Sequence, residues 1–129
     1  METLILVPYV SVGSIKFGES RDKVRSILGH YREYKKNKFS KNSLDDFGFC
    51  QVFYNDQNQV EAVELYRNVE LIYDKKNLFN LNAQELKILF NDPSVKENEY
   101  SLDFPSYGLS IVLQESLPDS ILTYRKGYM

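Results

Sequence analysis

The sequence predicts an α+β domain of two layers, an antiparallel sheet with two short helices on one face. Three observations predict it. Two apolar stripes at helical spacing each follow a capping residue, and each is succeeded by aromatic and β-branched runs broken by polar turn clusters. These elements also recur at a nearly constant offset. The stripes begin at Val24 and Leu86, 62 residues apart, and the strongest strands begin near Phe47 and Leu109, also 62 apart. The strands that follow begin near Val60 and Ile121, 61 apart. Residue identity between the halves is poor, so the match is one of element order. Two helix-plus-hairpin units, 1–68 and 69–129, would then join edge to edge in a single domain spanning 1–129, because each alone buries too little. An ordinary α+β domain whose halves coincide in spacing is the alternative.

Taken in order, Leu4 to Val7 reads as an entering strand, followed by a Gly-punctuated segment from Val12 to Gly18. Ser20 is a good N-cap, because its hydroxyl can accept an orphan N–H of the first turn. Val24, Ile27 and Leu28 form the stripe, and Gly29 ends the helix in a left-handed conformation. After a polar, basic stretch to Asp46, Phe47–Tyr54 and Gln59–Tyr66 read as a hairpin around Asn55-Asp56-Gln57-Asn58. Within its first strand Phe47, Phe49 and Phe53 compete with Cys50 and Val52 for the core. Val69–Tyr73 is a further strand, closed by a turn over residues 74–77.

In the second half Asn82 with Glu85 makes a capping box, Leu86, Leu89 and Phe90 the stripe, and Asp92-Pro93 a stop. Strands at Tyr100–Phe104, Leu109–Leu113 and Ile121–Lys126 complete the chain, with turns at 105–108 and at Leu117-Pro118-Asp119.

Composition narrows the function. The chain has 129 residues, 43% hydrophobic and 26% charged, with a formal charge of −2, which suits a soluble globular protein rather than a uniformly basic nucleic-acid binder. One Cys excludes a disulfide framework, and one Cys with one His is too little for a Cys/His zinc site. Cys50, in an apolar alternating run, reads as a small buried hydrophobe. The N-terminus has an acidic second residue and only four apolar residues before Pro8, so no secretory signal is expected and the location reads as cytoplasmic. No stretch reaches the roughly 20 apolar residues of a membrane helix.

Ile15-Lys16-Phe17-Gly18-Glu19-Ser20, then Val24 and Ile27-Leu28-Gly29, resembles the opening of the SmpA/OmlA-type outer-membrane assembly lipoproteins and the β-lactamase-inhibitor-protein superfamily. The hairpin segment Tyr54-Asn55-Asp56-Gln57-Asn58-Gln59-Val60 is similar to the "Y-x-x-x-g-x-V" that follows in those families. The resemblance covers residues 13–66, with a fainter echo afterwards. It departs from the lipoproteins in lacking a signal and a lipidated Cys, and from the inhibitors in being unable to form an internal disulfide. What it implies is a module whose sheet face binds another protein. Small cytoplasmic bacterial proteins of this look include immunity partners of secreted toxins.

Among groups that could carry chemistry, His30 follows the helix end, where a capping or surface role outweighs that of a general base, since no nucleophile adjoins it. Residues 55–61 are too short for a calcium loop and lack its Gly. No metal, cofactor or catalytic residue is expected, and no activity. An enzyme built on His30 with Asp45 or Asp46 is the remotest alternative. Charge is unevenly laid out: residues 32–41 carry a net +4 and residues 42–129 a net −7. The basic stretch contains Tyr31, Tyr34 and Phe39, the mixture a single-stranded nucleic-acid binder uses, although a solvated loop is the plainer reading and nucleic acid is not the expected partner.

Ten Tyr with no Trp point instead to a tyrosine-rich binding surface. If the helices cover one face, Gln51, Glu64, Tyr66 and Tyr73 fall on the open one, with Tyr107 in an adjacent loop. The leading reading is therefore a non-catalytic module that binds a protein, a toxin in its most concrete form, and blocks it by occlusion. A small-molecule or nucleic-acid module using residues 32–41 is the alternative. Apolar residues on both faces of one strand leave a homodimer open as well.

Overall fold

Ser20 and Asn82 start the two helices as the sequence predicts. The computed structural model describes residues 1–128. Helix α1 spans Arg21–Leu28, its first turn capped by Ser20 Oγ accepting from Lys23 N, and it ends at Gly29 (φ 84°), whose N–H donates to Arg25 O. Helix α2 spans Ala83–Phe90 behind a reciprocal capping box between Asn82 and Glu85, and closes on Asn91 in the left-handed region. Each helix has only eight residues. Neither would persist without packing.

Strands β1 (Glu2–Val7), β2 (Ser11–Val12) and β3 (Ile15–Lys16) precede α1. Next come β4 (Arg32–Tyr34), β5 (Leu44–Asp46), β6 (Cys50–Tyr54) and β7 (Val60–Tyr66), a four-stranded meander. Then β8 (Val69–Tyr73), β9 (Lys76–Asn77) and a 3₁₀ turn (Leu78–Asn80) lead into α2. A second meander follows it: β10 (Lys96–Glu97), β11 (Ser101–Phe104), β12 (Leu109–Gln114) and β13 (Leu117–Tyr124). The two meanders join through their last strands, giving one antiparallel sheet in the order β10-β11-β12-β13-β7-β6-β5-β4. The remaining strands form a second, smaller sheet, β3-β2-β1-β8-β9, in which β1 and β8 run parallel.

The expectation of a single antiparallel sheet is thus corrected to two sheets, one containing a parallel pair. Its order of helix and following strands holds in both halves. Strands β4, β5, β9 and β10, of two or three residues each, carry no apolar alternation that could announce them. The turn expected at Leu117-Pro118-Asp119 lies one step earlier, at Glu115 and Ser116, both with positive φ. Pro118 is tolerated inside β13 because pairing with β7 begins only at Ser120, so its missing N–H faces no neighbour on that side.

Cross-strand register decides which face is which. Phe104, Leu109, Thr123, Val63, Val52 and Asp45 stand opposite one another in sequence across six strands. All six are buried. At one end of this row Phe104 meets Phe90 of α2, with ring centroids 4.8 Å apart. At the other, Asp45 is held by Arg21 and Arg25 of α1. Both helices therefore cover the same face, where Leu4 and Leu6 of β1 and Val69 and Leu71 of β8 complete the core. Cys50 and Val52 win the competition for that core, and Phe53 falls on the other face. Ile27, expected in the α1 stripe, is 45% exposed, because only Val24 and Leu28 of that stripe reach the core. Gly108, in the turn before β12, has φ 65°, and a Cβ there would stand 2.8 Å from Tyr124 O and 2.9 Å from the Tyr9 ring. Tyr9 reaches across to donate its hydroxyl to Pro105 O.

Among the described residues, no helix is long and apolar enough to cross a membrane.

Candidate functional site

The face of the large sheet opposite the helices carries a continuous row of paired residues, Lys96, Asp103, Ser110, Leu122, Glu64, Gln51, Asp46 and Arg32, one from each of the eight strands. At about 4.8 Å per strand the row spans roughly 33 Å. Gln51 and Glu64, predicted for an open face, stand directly opposite each other in it. Tyr66, two residues beyond Glu64, lies on the same face with Ser120, Val112 and Ser101 as its register neighbours. Val112 is 47% and Tyr66 38% exposed, while Phe53 and Leu122 are half-buried.

Hydrogen bonds fix several of these side chains. Tyr66 donates its hydroxyl to Glu64 Oε1 at 2.8 Å, and burial together with that bond pushes the phenol above its ordinary pKa. Gln51 Nε2 donates to Tyr34 Oη at 2.6 Å, Ser110 Oγ to Asp103 Oδ1 at 2.6 Å, and Gly48 N to Asp46 Oδ1 at 2.8 Å. Lys36 arches over the face, 3.6 Å from Glu64 Oε1 and 5.4 Å from the Phe53 ring centroid. Both sheet edges, β10 and β4, are short and charged, which discourages strand addition.

Two predicted residues lie elsewhere. Tyr73, on the smaller sheet, stacks on Phe90 at 5.1 Å, and Tyr107 packs on the same ring at 4.9 Å. They belong to an aromatic cluster under α2, because β8 pairs with β1 and not with the large sheet. Their sequence neighbourhood gave no sign of that second sheet.

Of the groups weighed for catalysis, His30 and Asp46 are brought together and Asp45 is not. His30 and Asp46 line an open depression of about 400 Å³ with Tyr31, Arg32, Phe47 and Gly48. Asp45 points the other way, fully buried, and accepts from Arg21 (3.3 and 3.0 Å), Arg25 (2.8 and 2.9 Å) and Tyr54 Oη (3.0 Å). Burial alone would raise its pKa, but those three donors hold it below the carboxylate range. A carboxylate so saturated is a poor base. Beside it a polar cleft of about 370 Å³ is lined by Ser20, Arg21, Asp22, Arg25, Glu33, Gln57 and Asn58. Cys50 is 1% exposed, and burial pushes its thiol up to about 12. No group of three or more His, Cys, Asp or Glu side chains placed to hold a metal occurs among the described residues.

Asp92 reads from the sequence only as part of a helix stop, and its hydrogen-bonding role was missed. After α2 its carboxylate accepts from the N–H and Oγ of both Ser94 and Ser106. Burial would raise its pKa, but the four bonds outweigh it and bring the carboxyl down to about 2. A carboxyl depressed in the fold stabilises above its unfolded value, and that stabilisation disappears as pH falls from about 4 to about 2. Asp92→Asn is expected to remove a pH-dependent share of about 2 kcal/mol, seen in urea unfolding at pH 5 and pH 2.5 as a flatter profile than wild type.

Comparison with family models, with curated proteins and with solved structures finds no match to this chain.

Proposed function

We propose that the chain is a non-catalytic protein-binding module whose open sheet face covers a partner of different sequence. The observation that carries this reading is the eight-residue row with Tyr66, Val112 and Phe53 beside it, on a face from which both helices are absent. Large rigid side chains already held by hydrogen bonds lose little entropy on docking, and tyrosine is enriched among residues that dominate binding. An inhibitor or immunity protein of a bacterial cytoplasm, acting by occlusion, is the concrete form that the resemblance at residues 13–66 suggests.

Charge argues against a second copy stacked on the face in full overlap. Along the row, cations stand at both ends (Lys96, Arg32) and carboxylates stand next inside them (Asp103, Asp46). Two copies stacked face to face by a twofold along the strands would set Lys96 against Arg32 and Asp103 against Asp46. A twofold across the strands would set every residue against itself. Either arrangement, in full overlap, opposes like charges, which is unfavourable; an overlap offset by one strand would instead set Lys96 against Asp46. A partner with cations placed for Asp46, Glu64 and Asp103 meets no such penalty.

The test is affinity for the product of the adjacent gene, measured by calorimetry. Tyr66→Ala is expected to weaken binding by roughly 30-fold or more. Its effect on stability should stay within about 1 kcal/mol, because the ring is on the surface. Equal loss from Tyr107→Ala, which lies under α2, would overturn the assignment to this face.

A further inference from the structure

We propose that the β4–β5 hairpin is a further site, for single-stranded nucleic acid, with Phe39 as a base-stacking platform and Arg32, Lys35 and Lys38 as phosphate contacts. The hairpin closes one edge of the large sheet, and its connecting segment 35–43 contains four lysines and no acid. Two of these lysines are occupied: Lys41 pairs with Asp56 at 2.8 Å, and Lys36 lies 3.6 Å from Glu64. Lys35, Lys38 and Arg32 form no ion pair among the described residues and are exposed.

Phe39 is 84% exposed, the highest value for any aromatic residue described. Its position is built. Phe39 N donates to Asn37 Oδ1 at 2.8 Å, Ser40 N to Asn37 O at 3.1 Å, and Asn37 N to Ser40 Oγ at 3.3 Å. The returning limb is tied down by Asn42, which donates to Tyr54 O and Asp56 Oδ1. The ring is thus presented outward by a fixed turn.

A second feature makes the ligand a nucleic acid rather than a simple polyanion. Cations sit on aromatic rings throughout this corner: Lys38 over Phe39 at 5.1 Å, Arg32 over Tyr34 at 4.9 Å, and Arg25 over Tyr31 at 4.0 Å. Tyr31 is itself 45% exposed. Alternating flat rings with positive charge is what a strand of stacked bases and phosphates requires, and a π-face serves every base alike. An acidic peptide would use the charge and leave the rings idle. The site adjoins the open face and shares Arg32 with its row, but Phe39, Lys35 and Lys38 are no part of that row, so the proposal does not rest on the reading given to that face.

Fluorescein-labelled dT12 is the probe, titrated by anisotropy with salt varied from 20 to 200 mM (roughly the range over which phosphate contacts are weakened). Three phosphate contacts predict a slope of log K against log salt of about −2, falling to about −0.7 in the Lys35→Ala/Lys38→Ala variant. Phe39→Ala is expected to lose roughly 5- to 150-fold in affinity with an unchanged melting temperature. Tyr66→Ala should bind dT12 like wild type, so failure here and failure of the protein-binding reading are separable. No binding of dT12 at 20 mM salt would overturn the proposal. Equal binding of a 12-base-pair duplex or of polyglutamate, with Phe39→Ala indistinguishable from wild type, would also overturn it and leave a charge-only patch.

Discussion

Replacing Asp45 with alanine is expected to destabilise the fold by about 3–5 kcal/mol, among the largest effects of any single polar substitution. Asp45 has no solvent exposure, and its two oxygens bind both Arg21 and Arg25, with Glu33 supplying the second negative charge of the cluster. Arg21 is nearly buried itself, with its guanidinium 4.3 Å from the Tyr54 ring centroid. Removing the carboxylate leaves that cation without its counter-ion and the Tyr54 hydroxyl without an acceptor. Arg25 can turn to Glu33, 2.9 Å away, but Arg21 has only Asn58, Ser43 and a 3.6 Å approach to Glu33 in reserve. Urea midpoints at constant m-value read the loss directly. Arg25→Met should cost less than Asp45→Ala, since it leaves Asp45 still paired with Arg21. A loss below about 1 kcal/mol for Asp45→Ala would mean that Arg21 escapes to water at little cost and that this cluster does not hold α1 to the sheet.

Phe90→Ala is expected to cost about 3–5 kcal/mol by a different route. Phe90 is 1% exposed and is the ring on which Tyr73, Phe104 and Tyr107 all converge, at 5.1, 4.8 and 4.9 Å. It thereby joins α2 to both sheets, and the cavity left by its removal has walls on three elements that cannot all collapse inward. Phe90→Leu should recover most of the loss. Tyr107→Ala is expected to lower stability by a smaller amount and to leave partner affinity unchanged, which separates the aromatic cluster from the open face. Thermal and urea unfolding of the three variants check this order.

The two helices were legible because their signals are local. Ser20, Gly29, Asn82 and Glu85 each act within one turn, and the structure uses all four as caps. The order of strands after each helix was legible for the same reason, and the near-constant offset follows from two meanders of similar length. The smaller sheet was not legible. Its central contact, β1 against β8, joins residues such as Leu4 and Leu71 far apart in sequence, and nothing local marks a parallel pair. That one pairing moved Tyr73 from the expected surface to the interior. That Gln51, Glu64 and Tyr66 share one face was legible because period-2 alternation needs only the identity of the buried neighbours, Cys50, Val52 and Leu65. Asp45 and Asp46 looked equivalent as adjacent carboxylates, yet the same alternation sends one to Arg21 and the other to the opposite face.

The most direct test of the protein-binding account is light scattering behind size exclusion, on the chain alone and mixed with the product of the adjacent gene. The account predicts a monomer alone, a stoichiometric complex in the mixture, and loss of that complex with Tyr66→Arg. A chain that runs as a dimer by itself, and returns to a monomer with Tyr66→Arg, would contradict it, because the open face would then be filled by a second copy.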